Sequence, residues 1–370
     1  MHVCIDIQSA VARLSGVGRY TKELVEHLLA TGGTDRFSLF CFDFKRQGRP
    51  FDVAGADLHV NRLLPGRLVR KGWATIGFPP FDWLAPRADV YHFPNFVRPP
   101  LSRGKSVVTI HDLAFLRYPE TLEEGNRRFL ASQVGPTAAG ADALIVPSGT
   151  IAEELEAAYP AARGKIHAIW LGIGDAMGLP TAAQIEASRS ALGLARPYLL
   201  VVGTLEPRKN VTFAVEVFER LKRFDGELVL AGMAGWKFAP ILERIRASPT
   251  AARIRHLRYV DEDLLPGLYG GAELFVFPSL YEGFGFPPLE AMAAGTPVIS
   301  SAGGSLAEVL GDAAVVMRGF DVEAWVEQVD RLLEDSGLRA DLRSRGQVRV
   351  RAFSWRETAR RTLDVYRGVL

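Results

Sequence analysis

Residues Glu273–Asp312, ELFVFPSLYEGFGFPPLEAMAAGTPVISSAGGSLAEVLGD, decide the fold, because 40 residues hold a strand, a glycine loop, a helix, a second strand and a second glycine loop. Leu274–Pro278 is an apolar run short enough for a buried parallel strand, and a loop carrying Gly283 and Gly285 follows at once. Pro287 and Pro288 open a helix, as prolines can where first-turn N–H groups lack partners anyway. Gly295 closes that helix, and Pro297–Ser300 is the next strand. This order predicts a glycine loop at the carboxyl edge of a parallel sheet. Open α/β sheets bind ligands there, and helix N-termini offer backbone donors suited to phosphate.

Two acids frame the loop with seven residues between them, Glu282 before the glycines and Glu290 about one turn into the helix. A carboxylate beside an anion site is useful if it accepts hydrogen bonds from neutral hydroxyls, as on a sugar or a ribose, because it repels phosphate itself. The plainer alternative stays open: the helix dipole favours an acid in a first turn, and Glu282 would then be a solvated loop residue.

Outward from this stretch, 370 residues are too many for one ordinary core and suit two. The 48% hydrophobic and 23% charged content is that of a soluble globular protein, and a formal charge of +2 gives no reason to expect nucleic acid as a partner. Cys4 and Cys41 each lie in an apolar run and read as buried, reduced thiols, consistent with a cytoplasmic location. The sequence shows no signal peptide, no apolar run near the ~18 residues of a membrane span, and no Cys/His cluster for a metal.

The first half alternates strands with helices or loops. Strands are expected at His2–Ile7, Phe37–Phe42, Leu58–Leu63, Asp89–Phe93, Ser106–Ile110, Ala143–Val146 and Ile166–Trp170. Between the first two, Tyr20, Leu24, Leu28 and Leu29 share a helix face, a βαβ pattern that predicts a doubly wound parallel sheet. The loop Ser15-Gly-Val-Gly-Arg-Tyr20 is half a dinucleotide fingerprint, without the third glycine or a ribose-binding acid, and argues weakly for a dehydrogenase. Leu171–Arg196, with Gly172, Gly174, Gly178 and Pro180, is the candidate linker.

Strands follow at Tyr198–Val202, Leu228–Ala231, Ile254–Val260, Leu274–Pro278, Val298–Ser300 and Ala313–Met317. Val211, Ala214, Val215, Phe218 and Leu221 mark one helix face, and Val322, Trp325, Val326, Val329 and Leu333 another. Ser305 with Glu308, and Ser354 with Glu357, have capping-box spacing. The expected domains are 1–175 and 176–370, with a C-terminal helix 356–370 packing back on the first and a cleft between the two as the natural small-molecule site.

Glu282-Gly-Phe-Gly-Phe-Pro-Pro-Leu-Glu290, preceded by Gly203-Thr-Leu-Glu-Pro-Arg-Lys-Asn210 and followed by Phe353-Ser-Trp355, resembles the group 1 family of retaining glycosyltransferases. The resemblance spans almost the whole chain and extends to Tyr91-His-Phe-Pro-Asn95 and Val108-Thr-Ile-His-Asp112 in the amino half. It implies the GT-B fold, two Rossmann-like doubly wound parallel-sheet domains facing across a cleft. It implies that Arg208 and Lys209 hold the diphosphate of a nucleotide sugar, that Glu282 holds sugar hydroxyls near the reacting carbon, and that Glu290 binds ribose hydroxyls. Gly16, Gly18, Gly203, Thr204, Gly283, Phe284, Gly285 and Phe286 would complete the grip on sugar and phosphate, and Tyr259 and Val260 would lie beside the base. Thr204 stands where the family often has an arginine, which shifts weight onto Arg208 and Lys209. His111 would sit near the anomeric centre, with His92 and Asn95 on the acceptor side. A strand-end histidine bonded to a neighbouring carbonyl is the plainer reading of His111.

The implied activity is transfer of a hexose from a nucleoside diphosphate sugar to a glycan or lipid-linked acceptor. His111-Asp112 and Tyr118-Pro-Glu120 most resemble bacterial mannosyltransferases of surface polysaccharide assembly, making GDP-mannose the first donor to consider. A nucleotide-sugar 2-epimerase and a noncatalytic sugar-nucleotide or glycan-binding protein are the rivals. Asp261-Glu262-Asp263 matches the D-x-D metal signature of another glycosyltransferase fold, but after a strand and before Leu264 it reads as an N-cap with first-turn acids, so neither metal nor cofactor is expected. Finally, Asn61–Phe78 interleaves Arg62, Arg67, Arg70 and Lys71 with Leu63, Leu64, Leu68, Val69, Trp73, Ile76 and Phe78. A loop followed by a short helix there is a candidate contact with anionic membrane lipid, making the protein peripheral on the inner face of the cytoplasmic membrane; an ordinary solvated face is the alternative.

Overall fold

The computed structural model describes residues 1–11, 16–46, 48, 54–174 and 177–370. The chain divides into two compact units, one of Met1–Leu113, Gly125–Gly172 and Ser354–Leu370, the other of Ala114–Glu124 and Ile173–Phe353. Ser15 of the first glycine loop and the expected boundary at 175/176 lie outside the described residues.

In chain order the elements of the first half are β1 (His2–Asp6), α1 (Gly16–Thr31), β2 (Arg36–Phe42), β3 (Ala56–Asn61), α2 (Gly66–Ile76), β4 (Val90–Phe93), β5 (Lys105–Thr109), α3 (Ala114–Arg117), α4 (Glu124–Gly140), β6 (Ala143–Val146), α5 (Gly149–Ala158) and β7 (Ile166–Ala168). The seven strands form one parallel sheet in the order β3-β2-β1-β4-β5-β6-β7. The chain winds one way from β1 and the other way from β4, so the gap between these two strands is the switch point of the sheet. Every residue of β4 and β6 is buried, as strands covered on both faces must be. Tyr20, Leu24 and Leu28 are buried on α1 together with Thr21 and Val25, whereas Leu29, expected on the same face, is only partly covered.

The second half contains α6 (Ala182–Leu192), β8 (Tyr198–Val202), α7 (Val211–Arg220), β9 (Glu227–Ala231), α8 (Ala239–Arg246), β10 (Ile254–Arg258), α9 (Leu265–Gly270), β11 (Leu274–Phe277), α10 (Phe286–Ala293), β12 (Val298–Ser301), α11 (Leu306–Leu310), β13 (Val315–Met317), α12 (Val322–Glu334), α13 (Ser336–Arg349) and α14 (Trp355–Gly368). Six parallel strands are ordered β10-β9-β8-β11-β12-β13, with the switch point between β8 and β11. The core between sheet and helices centres on Trp325, whose ring meets Phe213 edge-on at 5.4 Å. The last helix, α14, belongs to the first unit: Trp355 lies 6.0 Å from the Tyr20 ring, and the Tyr366 hydroxyl meets His92 Nδ1 at 2.6 Å.

Each expected strand is present, and the departures are local. The strand expected at 58–63 is Ala56–Asn61, two residues earlier. The one expected to reach Val260 stops at Arg258, whose φ of +57° breaks the extended backbone. Neither serine of the expected capping boxes caps its helix among the described residues. Ser305 Oγ donates instead to Gly283 O, and Glu357 pairs with Arg360. In α12 the third fully buried position is Leu332, with Leu333 only partly covered. The expected linker is part helix: α6 opens on a Thr181–Gln184 capping box, and Ser188 donates to Leu264 O of the same unit.

Candidate active site

At the carboxyl end of β8 the backbone passes through Gly203 and Thr204 into a single 3-10 turn, Pro207–Lys209, and leaves it through Asn210 at φ +51°. This turn throws Arg208 and Lys209 toward the loop that follows β11, across the switch point. Arg208 O accepts from Leu280 N at 2.8 Å and Ser279 Oγ at 3.1 Å, so the two loops are tied through backbone as well as side chains.

The ties converge on Glu282. Its Oε2 accepts from Arg208 Nη1 at 2.8 Å, and its Oε1 accepts from Lys209 Nζ at 2.6 Å and Ser279 Oγ at 2.5 Å. The Arg208, Lys209 and Glu282 side chains are 15%, 13% and 9% exposed, so the basic pair is largely buried and the plainer reading of Glu282 as a solvated loop acid is excluded. Burial alone would push the Glu282 carboxyl up, but the two cations and the hydrogen bonds from Lys209 and Ser279 outweigh it and hold the group at about 2. Arg208 Nη1 also donates to Tyr281 O at 2.6 Å, and Nη2 to Glu206 Oε1 at 2.8 Å. Burial raises the Glu206 carboxyl, opposed by Arg208 and Lys209. The cluster thus pairs two cations with two acids. The basic pair already has counterions, and a diphosphate would have to displace Glu282 from it.

The loop carrying Glu282 is stitched to the second glycine loop. Ser305 N donates to Glu282 O at 2.9 Å, and Glu282 N to Gly303 O at 3.3 Å. Gly304 has φ +62°, and a Cβ there would lie 2.3 Å from the Glu282 carbonyl, so the close approach needs glycine. Gly285, at φ +103°, sets the entry into α10, and a Cβ on it would meet Leu306 at 2.6 Å. Phe284 turns inward onto Phe286 and Phe353 at 5.5 and 5.6 Å, so this expected donor contact is confined to its backbone. Glu290 is buried, and its Oε2 accepts from the Tyr269 hydroxyl at 2.7 Å, a partner on α9. Tyr259 is exposed and Val260 buried just beyond β10, two strands from β8. Glu262–Leu264 is a 3-10 turn leading into α9, and Asp261 precedes it without the expected cap bond. Among the described residues no three His, Cys, Asp or Glu side chains are grouped to hold a metal ion.

In the first unit His111 follows β5. Its Nε2 donates to Pro94 O at 2.7 Å, and its ring packs against Tyr20 and Phe96 at 4.9 and 5.5 Å. Burial lowers its pKa, partly offset by the Pro94 bond and Asp112, so the ring is neutral at pH 7. The carbonyl-bonded geometry of the plainer reading is therefore present. Asn95 is exposed beside Pro94. His92 corrects the expectation: it has no exposed surface, bridges Tyr366 and Thr109, and fastens α14 to the sheet rather than meeting an acceptor. Burial, then the neighbouring His111, depresses it to about 3. Gly16 and Gly18 form the first turn of α1, and nothing lies within 4 Å of a Cβ placed on Gly16.

Sequence reasoning missed Glu206 and Tyr269. Glu206 lies inside the quoted Gly203–Asn210 motif, where an acid two residues before an arginine was available as its partner. Tyr269 carried no such signal, because its meeting with Glu290 depends on the packing of α9 beside α10. The expected 61–78 segment is a loop followed by α2, with Leu63, Leu68, Ile76 and Phe78 exposed. Trp73 instead packs on Phe42 and Phe81. Among the described residues no helix is long and apolar enough to cross a membrane.

Residues 184–349 match the model of the family described as glycosyl transferases group 1, and residues 15–172 match a glycosyl transferase 4-like domain. The chain is 29% identical over 377 aligned residues to the O-antigen chain mannosyltransferase B of Escherichia coli, covering 96% of each. Sucrose-phosphate synthase of Thermosynechococcus elongatus superposes with a TM-score of 0.79 at 20% identity, covering 100% of this chain and 99% of the other. The Anabaena HepE protein, solved with UDP-glucose, superposes with a TM-score of 0.72 at 18% identity and covers 100% of both chains. With two parallel-sheet Rossmann-like units and both family signatures in place, the chain has the GT-B fold and belongs to the group 1 glycosyltransferases.

Proposed function

We propose that this protein is a retaining glycosyltransferase that moves a hexose, mannose from GDP-mannose in the first instance, onto a glycan or lipid-linked acceptor in bacterial polysaccharide or glycolipid synthesis. The observation that carries the reading is the buried Arg208–Glu282–Lys209 cluster at the switch point of the second sheet. Two cations held within one carboxylate's reach can take the two phosphates of a nucleoside diphosphate, and they stabilise the charge that grows on it as the glycosidic bond breaks. When the diphosphate takes over the cations, Glu282 is released to accept hydrogen bonds from sugar hydroxyls. Glu290, braced by Tyr269, serves the ribose. The family supports His111 at the acceptor side. Catalysis then comes from positioning and leaving-group stabilisation, with front-face attack by the acceptor hydroxyl. The E. coli O-antigen mannosyltransferase supports mannose and a surface polysaccharide, and HepE's UDP-glucose complex supports a nucleotide-sugar donor.

Thermal stabilisation measured across GDP, UDP, ADP and dTDP tests the donor assignment, since a ligand that binds only the folded state raises its stability by mass action. GDP is expected to give the largest rise, and no rise with any of the four would overturn the reading. Turnover is expected to survive EDTA, because side-chain cations supply the positive potential. Loss on chelation that Mg²⁺ restores would return Asp261 and Asp263 to consideration.

A further inference from the structure

A histidine ring turns about a broad torsion, so its plane is set by neighbours rather than by its own bond. His111 has three of them. Pro94 O takes the Nε2 proton at 2.7 Å, and because a carbonyl only accepts, the neutral ring keeps its lone pair on Nδ1, which has no partner among the described residues. The Tyr20 ring stands edge-on to the imidazole at 4.9 Å and 83°, and the Phe96 ring meets it at 5.5 Å and 63°.

Both aromatic walls are tied to Thr109, the last residue of β5, two before the histidine. Its Oγ1 meets the Tyr20 hydroxyl at 2.9 Å, and its carbonyl accepts from Phe96 N at 2.9 Å. Phe96 is held at φ +61° in a three-residue turn closed by Val97 N on Asn95 O at 2.7 Å, a conformation that a bulky residue adopts only where its surroundings impose it. Thr109 Oγ1 also meets His92 Nε2 at 2.9 Å, and His92 Nδ1 meets the Tyr366 hydroxyl at 2.6 Å. A continuous chain of hydrogen bonds thus runs from Tyr20 through Thr109 and His92 to Tyr366, and all four residues are at most 1% exposed. Withdrawn from water, each member is satisfied by the next, and deleting one hydroxyl leaves its neighbour's bond unmade. Helix α14 touches the chain twice, through Tyr366 and through Trp355, whose ring lies 6.0 Å from that of Tyr20. All of these residues belong to the first unit. A network whose only task was to fasten α14 could end at His92. This one continues through Thr109 to the ring that faces His111.

Resting on the glycosyltransferase reading above, in which His111 acts on the acceptor side, we propose that Thr109, Tyr20, His92 and Tyr366 are positioning residues for His111. Together they set the plane of its imidazole, and with it the direction of the Nδ1 lone pair, so that the last helix of the chain contributes to the reaction without touching substrate.

The test combines imidazole NMR of the full-length, histidine-labelled protein at pH 7 with initial rates of GDP-mannose turnover. Wild-type His111 should show the single tautomer protonated on Nε2, its signals identified as those missing from His111→Gln. Thr109→Val should shift them or mix the tautomers and lower kcat about tenfold, since misplacing a group by 1 Å can cost about a hundredfold, while KM for the donor and the GDP-induced rise in Tm stay unchanged. Thr109→Ser, which keeps the hydroxyl, should restore both readouts. Tyr366→Phe, which keeps the ring and is the milder change to the fold, should shift His111 in the same direction, and the double variant should fall no further than Thr109→Val alone, because the two break one chain. His111 signals indifferent to Thr109→Val and Tyr366→Phe would overturn the proposal, as would losses that Thr109→Ser fails to restore or that multiply in the double variant. Absence of turnover by wild type with any nucleotide sugar would count against the glycosyltransferase reading, and the His111 signals, which need no substrate, still decide the network.

Discussion

Glu282→Gln removes one charge and almost no volume from the cluster of Arg208, Lys209 and Glu206. The carboxyl is held at about 2 against an ordinary 4.5, and at about 1.36 kcal/mol per unit this corresponds to about 3 kcal/mol of folded-state stabilisation at neutral pH. The sign follows from the depressed folded value: the stabilisation is complete above about 4.5 and is lost as pH falls toward 2. The variant should therefore unfold in urea with a stability lower by about 3 kcal/mol at pH 7, and the gap from wild type should close as pH falls below about 4.5. A saturating nucleoside diphosphate brings its own negative charge to Arg208 and Lys209, so it should narrow the gap at pH 7, and the variant should bind it at least as tightly as wild type does. Turnover should fall, because the sugar hydroxyls lose an ionised acceptor. Unchanged stability at pH 7 would refute the electrostatic account of the cluster, and loss of diphosphate binding in a folded variant would refute the assignment of Glu282 to the sugar.

Lys209→Ala should weaken nucleoside diphosphate binding by roughly 10- to 150-fold, the equivalent of about 1.5–3 kcal/mol for a charge-assisted contact, as read by calorimetric titration; unchanged affinity would remove Lys209 from the phosphate site. His92 is depressed from 6.5 to about 3, so its contribution to stability is complete above pH 6.5 and declines by about 1.4 kcal/mol per pH unit below it. His92→Gln should flatten urea-derived stability between pH 6 and pH 4, and an equally steep profile would place the acid sensitivity elsewhere. The exposed Leu63, Leu68, Ile76 and Phe78, with the cations of 62–71, should cosediment with anionic vesicles at low salt and be released at high salt. Recovery of all the protein in the low-salt supernatant would end the membrane proposal.

The architecture was legible because its signals are local. Short apolar runs such as Ala143–Val146 and Leu274–Phe277 are buried at every position, and the helices between strands carry apolar residues at regular spacing. Glycine loops with prolines just inside the next helix then place the site at a sheet edge. Capping was less legible, because Ser305 has two uses for one hydroxyl and the approach of the Gly283 carbonyl decides between them. The His92 assignment failed for a related reason. Its motif sits at a strand end, but the partner that buries it, Tyr366, is 274 residues away in the chain. Glu282 and the Arg208–Lys209 pair were each identified, yet their mutual neutralisation emerges only when the loops after β8 and β11 meet.

Retaining transfer is the central claim, and water can stand in for the acceptor. Following the slow hydrolysis of GDP-mannose by NMR at early times reports the anomer of the released sugar before mutarotation mixes the two. The account predicts α-mannose first, with release depressed by Lys209→Ala. Early β-mannose, or isomerised sugar nucleotide in place of free mannose, would contradict it.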